Sequence, residues 1–120
     1  MKTTLIIGAT PRPSSYANKA MLELEEHGHK TLLYNPLGRA IDDRKIHTEI
    51  AQISEPVDTI TLYVRPARLQ PIVEELIALK PKRIIFNPGT EDADIMQSFK
   101  DSEIEALEAC TLVMLRTGQY

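Results

Sequence analysis

The chain has 120 residues, 42% hydrophobic and 26% charged, with a formal net charge of −3. That length predicts one domain, 1–120, able to bury roughly two-thirds of its unfolded surface. A pI near 5.6 speaks against a nucleic-acid partner, which calls for a basic face, and no apolar run approaches the ~18 residues of a membrane span.

Cys110 is the one cysteine, so no internal disulfide can form, as expected of a reducing compartment. The first apolar run, Leu5 to Ile7, is too short for a signal peptide, and the expected location is the cytoplasm. That run ends at Gly8 and reads as a strand buried on both faces. Ser15 to His27 reads as a helix: Ala17, Ala20, Met21 and Leu24 recur at helical spacing, and Gly28 stops it. Lys30 to Tyr34 is a second strand. Asn35 to His47 is a loop by composition, and Thr48 to Ile53 a short helix capped by Thr48 or a neighbour. Asp58 to Val64, rich in β-branched residues, is a third strand. Pro66 opens a helix to about Leu79. Lys82 to Phe86 is a fourth strand, followed by the loop NPGTED and a helix from about Asp92 to Lys100. A fifth strand falls at Glu105 to Ala109 or at Thr111 to Leu115, and pattern alone favours the second.

Strands alternate with helices throughout. This predicts an α/β fold, a doubly wound parallel sheet of about five strands. Ligands of such folds sit at the carboxyl ends of the strands. The segments of interest are therefore Gly8 to Ser15, Asn35 to Asp42, Arg65 with Pro66, and Asn87 to Thr90, all on one edge. The first resembles a phosphate cradle: Gly8 permits a sharp turn, Thr10, Ser14 and Ser15 add hydroxyls, and a helix N-terminus faces the mouth. The dinucleotide fingerprint of three glycines is absent, because Ala9, Thr10 and Pro11 follow Gly8. Asn35 stands where an NAD site places an acid, and there is no Walker A motif. The loop alone leaves a bare strand-turn-helix and a phosphate site equally open.

The stretch IIGATPRPSSYANKAMLELEEHGHKTLLYNP resembles the start of the small stand-alone CoA-binding domain proteins. EPVDTITLYVRP is similar to that family's third-strand block, and PKRIIFNPGTEDADI to its glycine loop after the fourth strand. The resemblance covers nearly the whole chain. It extends to the CoA-binding domain of succinyl-CoA synthetase alpha subunits. It implies a Rossmann-like domain whose ligand is coenzyme A or a short acyl-CoA, held through its pyrophosphate and adenine. Carried over, the phosphate loop is Gly8, Ala9, Thr10 and Pro11, with Ser15 and Tyr16 opening the helix behind it. Asn35 and Pro36 border the nucleotide, Val64, Arg65 and Pro66 line the site after the third strand, and Gly89 and Thr90 close it. Two segments depart from the family pattern. The fourth loop reads Phe86-Asn87-Pro88-Gly89-Thr90 where many members carry a glutamine, and Glu108-Ala109 precede Cys110 where many carry Asp-Arg. Aligning Cys110 with the family cysteine places the last strand at Ile104 to Ala109 and makes TLVMLRTGQY a tail packing back on the domain.

Arg12, Arg39, Arg44 and Lys45 read as solvated loop charges or as partners of the CoA 3′-phosphate. His27 and His29 flank a helix end without sharing a face, so no metal site is expected. Cys110 reads as a structural cysteine rather than a nucleophile, and no carboxylate pair calls for acid–base chemistry. The function expected is a non-catalytic binding, carrier or regulatory module for CoA. The alternatives are an NADP-type enzyme using Arg39 or Arg44 for the 2′-phosphate, and an orphan domain that pairs with a protein. The apolar stretch Leu112 to Leu115 offers a homodimer interface.

Overall fold

The computed structural model describes residues 1–120. Six strands form one all-parallel sheet: β1 (Thr3–Ile7), β2 (Lys30–Tyr34), β3 (Ile46–His47), β4 (Thr59–Leu62), β5 (Arg83–Phe86) and β6 (Glu105–Glu108). Their order is β3-β2-β1-β4-β5-β6, the doubly wound Rossmann-type arrangement. The sheet of about five strands thus holds five strands of four or five residues and the two-residue edge strand β3.

The helices are α1 (Tyr16–Glu26), α2 (Pro66–Leu69), α3 (Val73–Ala78), α4 (Ala93–Asp101) and α5 (Thr111–Arg116). A 3-10 turn, Gln70–Ile72, separates α2 from α3. The single helix expected from Pro66 to Leu79 is broken there because Pro71 has no N–H to donate. The expected helix at Thr48 to Ile53 is a 3-10 turn at Ile50–Gln52, where Gln52 Oε1 accepts from the Thr48 N–H at 3.0 Å. The last strand is β6, ending before Cys110, and the tail that follows is α5 packed against α1.

Alternation along the strands divides the core. Leu5, Ile7, Ile60, Leu62, Ile84 and Phe86 face Val73 and Leu76 of α3 and Ile95 and Phe99 of α4. Ile6 and Leu33 face Ala17, Met21 and Leu24 of α1 and Leu115 of α5. Apolar side chains on both faces give β1, β2 and β5 the compact apolar runs Leu5–Ile7, Leu32–Tyr34 and Ile84–Phe86.

The second face also holds a buried polar layer. Thr61 Oγ1 and Thr111 Oγ1 lie 2.8 Å apart, and the Arg83 guanidinium donates to Thr59 Oγ1 at 2.8 Å. Tyr120 covers this layer. Its hydroxyl bonds Thr4, its main-chain oxygen accepts from Arg83 at 2.8 Å, and its ring lies 4.4 Å below the Arg83 guanidinium. Each buried polar group named here is thereby paired, which is what makes such a layer compatible with a stable core.

Candidate functional site

β1 and β4 are neighbours, but their connections leave in opposite directions, β1 towards β2 and β4 towards β5. The crevice between their carboxyl ends is the topological switch point. A cleft of about 430 Å³ opens there, lined by Gly8, Thr10, Ser15, Val64, Arg65 and Gly89 among others.

Gly8 is what lets the first loop turn closely against the end of β4. Its φ is +94°, and a Cβ there would stand 2.9 Å from Val64 Cγ1 and 3.0 Å from the Tyr63 carbonyl oxygen. The Gly8 and Ala9 N–H groups both donate to the Tyr34 carbonyl, at 3.0 and 3.1 Å. The loop is therefore tied to β2 and its first two amides are spent. Further ties come from side chains: Asn35 Nδ2 donates to the Ala9 carbonyl at 2.8 Å, and buried Asn18 donates to the Thr10 carbonyl at 3.0 Å. These bonds hold the loop in one shape before any ligand arrives.

The donors come from α1. Ser15 caps the helix, its hydroxyl accepting from the Asn18 N–H at 3.0 Å and its carbonyl from the Lys19 N–H at 3.1 Å. A helix leaves its first four amides without internal partners. Of those four, the Ser15 amide donates to the Arg12 carbonyl at 3.1 Å and the Asn18 amide to the Ser15 hydroxyl, which leaves the Tyr16 and Ala17 amides open, and both residues line the cleft. Two amides at the positive end of an 11-residue helix suit an anion. Arg65, the residue before α2, is exposed, makes no ion pair and also lines the cleft.

Two smaller compartments adjoin. On the β2 side a pocket is lined by Tyr34, Asn35, Pro36, Arg68 and Ile72, and it shares Gly8 and Val64 with the main cleft. On the β5 side a chamber of about 220 Å³ is lined by Asn87, Cys110 and Leu112, and it shares Tyr16, Tyr63 and Pro88. Asn87 is buried and fully employed: it donates to Thr61 Oγ1 and the Leu62 carbonyl and accepts from the Thr111 N–H at 2.9 Å. Burial pushes the Tyr63 hydroxyl up to about 12.

Of the residues singled out from sequence, Gly8, Thr10, Ser15, Tyr16, Val64, Arg65, Gly89 and Thr90 line the main cleft. Asn35 and Pro36 line the β2 compartment. Ala9 is buried beneath the loop, Pro11 is exposed beyond the lining, and Pro66 lies in the first turn of α2. Thr90 donates its hydroxyl to the Asn87 carbonyl at 2.8 Å and so holds the fourth loop's turn. Arg44, read as a loop charge at the site edge, is instead paired with Glu25 near the far end of α1 at 2.7 Å. Tyr63, Arg68 and Ile72 also line the compartments, although nothing in their own spacing marks them. Tyr63 was hidden as the tail of a strand, and Arg68 and Ile72 as helix surface.

The sheet order and the crevice define a Rossmann-like fold. The family model for the CoA binding domain matches residues 2–116, and the chain belongs to that family. A crystal structure of an uncharacterized protein is 40% identical, with a TM-score of 0.94, over 100% of this chain and 98% of that one. A hypothetical protein from Pyrococcus horikoshii OT3 is 26% identical with a TM-score of 0.81, over 96% of this chain and 82% of that one. A Thermus thermophilus protein, cell-free ID.343, shares the fold at 24% identity and a TM-score of 0.88, over 99% of this chain and 90% of that one. Among curated proteins none matches.

Proposed function

We propose that the chain binds coenzyme A or a short acyl-CoA as a non-catalytic carrier, sensor or partner module. The observation that carries this reading is the cleft at the switch point, lined by the first residues of α1, Tyr16 and Ala17, whose amides are open, and by the unpaired Arg65, groups suited to a pyrophosphate. Membership of the CoA binding domain family supports it. The three joined compartments match a long ligand with a nucleotide at one end. The side chains lining the main cleft include no His, Asp or Glu that would supply acid–base chemistry, which favours binding over catalysis. The NADP reading loses one of its two arginines, since Arg44 is held by Glu25 and Asp42.

Isothermal titration with CoA, acetyl-CoA and NADP+ in parallel tests the proposal. Saturable micromolar binding of CoA or acetyl-CoA, with none for NADP+, is the expected result. Silence from both CoA species overturns it.

A further inference from the structure

The three compartments lie in a row along the carboxyl edge, and the row has a direction. It runs from Asn35 and Pro36 after β2, past Gly8 after β1 and Tyr63 to Arg65 after β4, to Asn87 after β5 and Cys110 after β6. The middle compartment has the anion donors. The last one differs from it in kind. Its walls are the rings of Tyr16 and Tyr63, Pro88, Leu112 and the Cys110 thiol, with no charged side chain among them. Its amide, Asn87, already uses both N–H groups and its oxygen inside the protein. Such a chamber rewards a neutral, weakly polar group and penalises a charged one, which it would strip of water without a partner.

We infer that this chamber receives the sulfur end of coenzyme A, free or carrying a short uncharged acyl group, and brings that sulfur beside the Cys110 thiol. The inference rests on the CoA reading above and adds the ligand's direction and the acyl class. A chamber of about 220 Å³ suits an acetyl-sized group on the sulfur and not a long chain. An acyl group ending in a carboxylate is disfavoured on the same grounds as any unpaired charge. Tyr16, 68% exposed with the Lys19 ammonium 5.5 Å from its ring centre, stands on the boundary between chamber and cleft, where it flanks the pantetheine arm.

Disulfide exchange with CoA disulfide tests this on the intact chain. The Cys110 thiolate, its proton lost to solvent, attacks one sulfur of CoA–S–S–CoA. The S–S bond breaks, one CoA stays on Cys110 as a mixed disulfide and the other leaves as thiolate. Cys110 is the only cysteine, so one CoA added to the mass of the chain is unambiguous. Labelling is expected to run at least about tenfold faster than with oxidised glutathione, because a bound nucleotide makes the attack intramolecular. Excess 3′,5′-ADP, which fills the nucleotide end without a sulfur, is expected to slow it to the glutathione rate, and Cys110→Ser to abolish it. Calorimetry on the same sample separates the two claims. If CoA and 3′,5′-ADP bind but Cys110 is labelled no faster than by glutathione, the direction assigned here is wrong and the CoA reading stands. If neither binds, both fall.

Discussion

Gly8 is the position where backbone and site constrain each other most tightly. An alanine methyl would meet Val64 Cγ1 and the Tyr63 carbonyl inside normal contact distance, at a φ that side chains avoid. Gly8→Ala is expected to destabilise the fold by about 1–3 kcal/mol, read as a lower urea midpoint. Arg65 is the contrasting case, because it is exposed, unpaired and contributes nothing visible to folding. Arg65→Ala is expected to leave the midpoint unchanged while weakening CoA by about 1.5–3 kcal/mol, roughly ten- to hundredfold, in a calorimetric titration. Equal affinities would remove Arg65 from the site. Asn35 is legible as a site residue only in part. Its position after β2 was plain from sequence, and its oxygen accepts the nearby Leu37 N–H, but its amide holds the Ala9 carbonyl, a role that depends on a loop 26 residues away.

Among the elements, α1 opens on the cleft, and its cap shows how local sequence sets local geometry. Ser15 has the extended backbone of a capping residue, and its hydroxyl satisfies one of the four amides that α1 leaves open, that of Asn18. Ser15→Ala is expected to cost about 1 kcal/mol of stability by thermal or urea unfolding. α1 is also tied at its other end, where Arg44 grips Glu25 and Arg116 of α5 grips Glu23, each at 2.7 Å. Both carboxyls are held below their ordinary value of 4.5, chiefly by those arginine hydrogen bonds. The broken helix after β4 shows the reverse case. Amphipathic spacing runs unbroken from Pro66 to Leu79, yet the missing N–H of Pro71 divides it. β3 escaped notice because two residues are too few to show alternation, and it is a strand only because β2 lies beside it.

The whole molecule is expected to weaken in acid in two stages. His47 is buried with Nδ1 unpaired, and His29 accepts the Lys2 N–H through Nδ1 at 2.9 Å. Burial lowers both from 6.5, with nearby cations adding to it, Lys45 for His47 and Lys2 for His29. A histidine lowered on folding contributes stability that is whole above 6.5 and is lost as pH falls through its folded value. The carboxyls Glu23 and Glu25 follow the same sign lower down, their contribution whole above 4.5 and lost as pH falls through their depressed values. Unfolding midpoints measured from pH 8 to pH 3 are expected to fall first below about 6.5 and again below about 4.5. Replacing His47 by Gln should flatten only the first step. A curve level between pH 6.5 and 5 would contradict this reading of the histidines. The layered α/β architecture and the edge at which the cleft opens were determined by the sequence alone. Apolar runs buried on both faces, alternating with amphipathic helices, admit little but a parallel sheet, and such a sheet gathers its loops at the carboxyl ends. Only the tertiary structure decided which loop side chains remain free. Arg44 is spent on Glu25, Asn87 on Thr61, Leu62 and Thr111, and Tyr120 on Thr4, whereas Arg65 is left to the cleft. Those pairings join residues far apart in the chain, and a hydrogen bond depends on distance in space, which one-dimensional spacing does not encode.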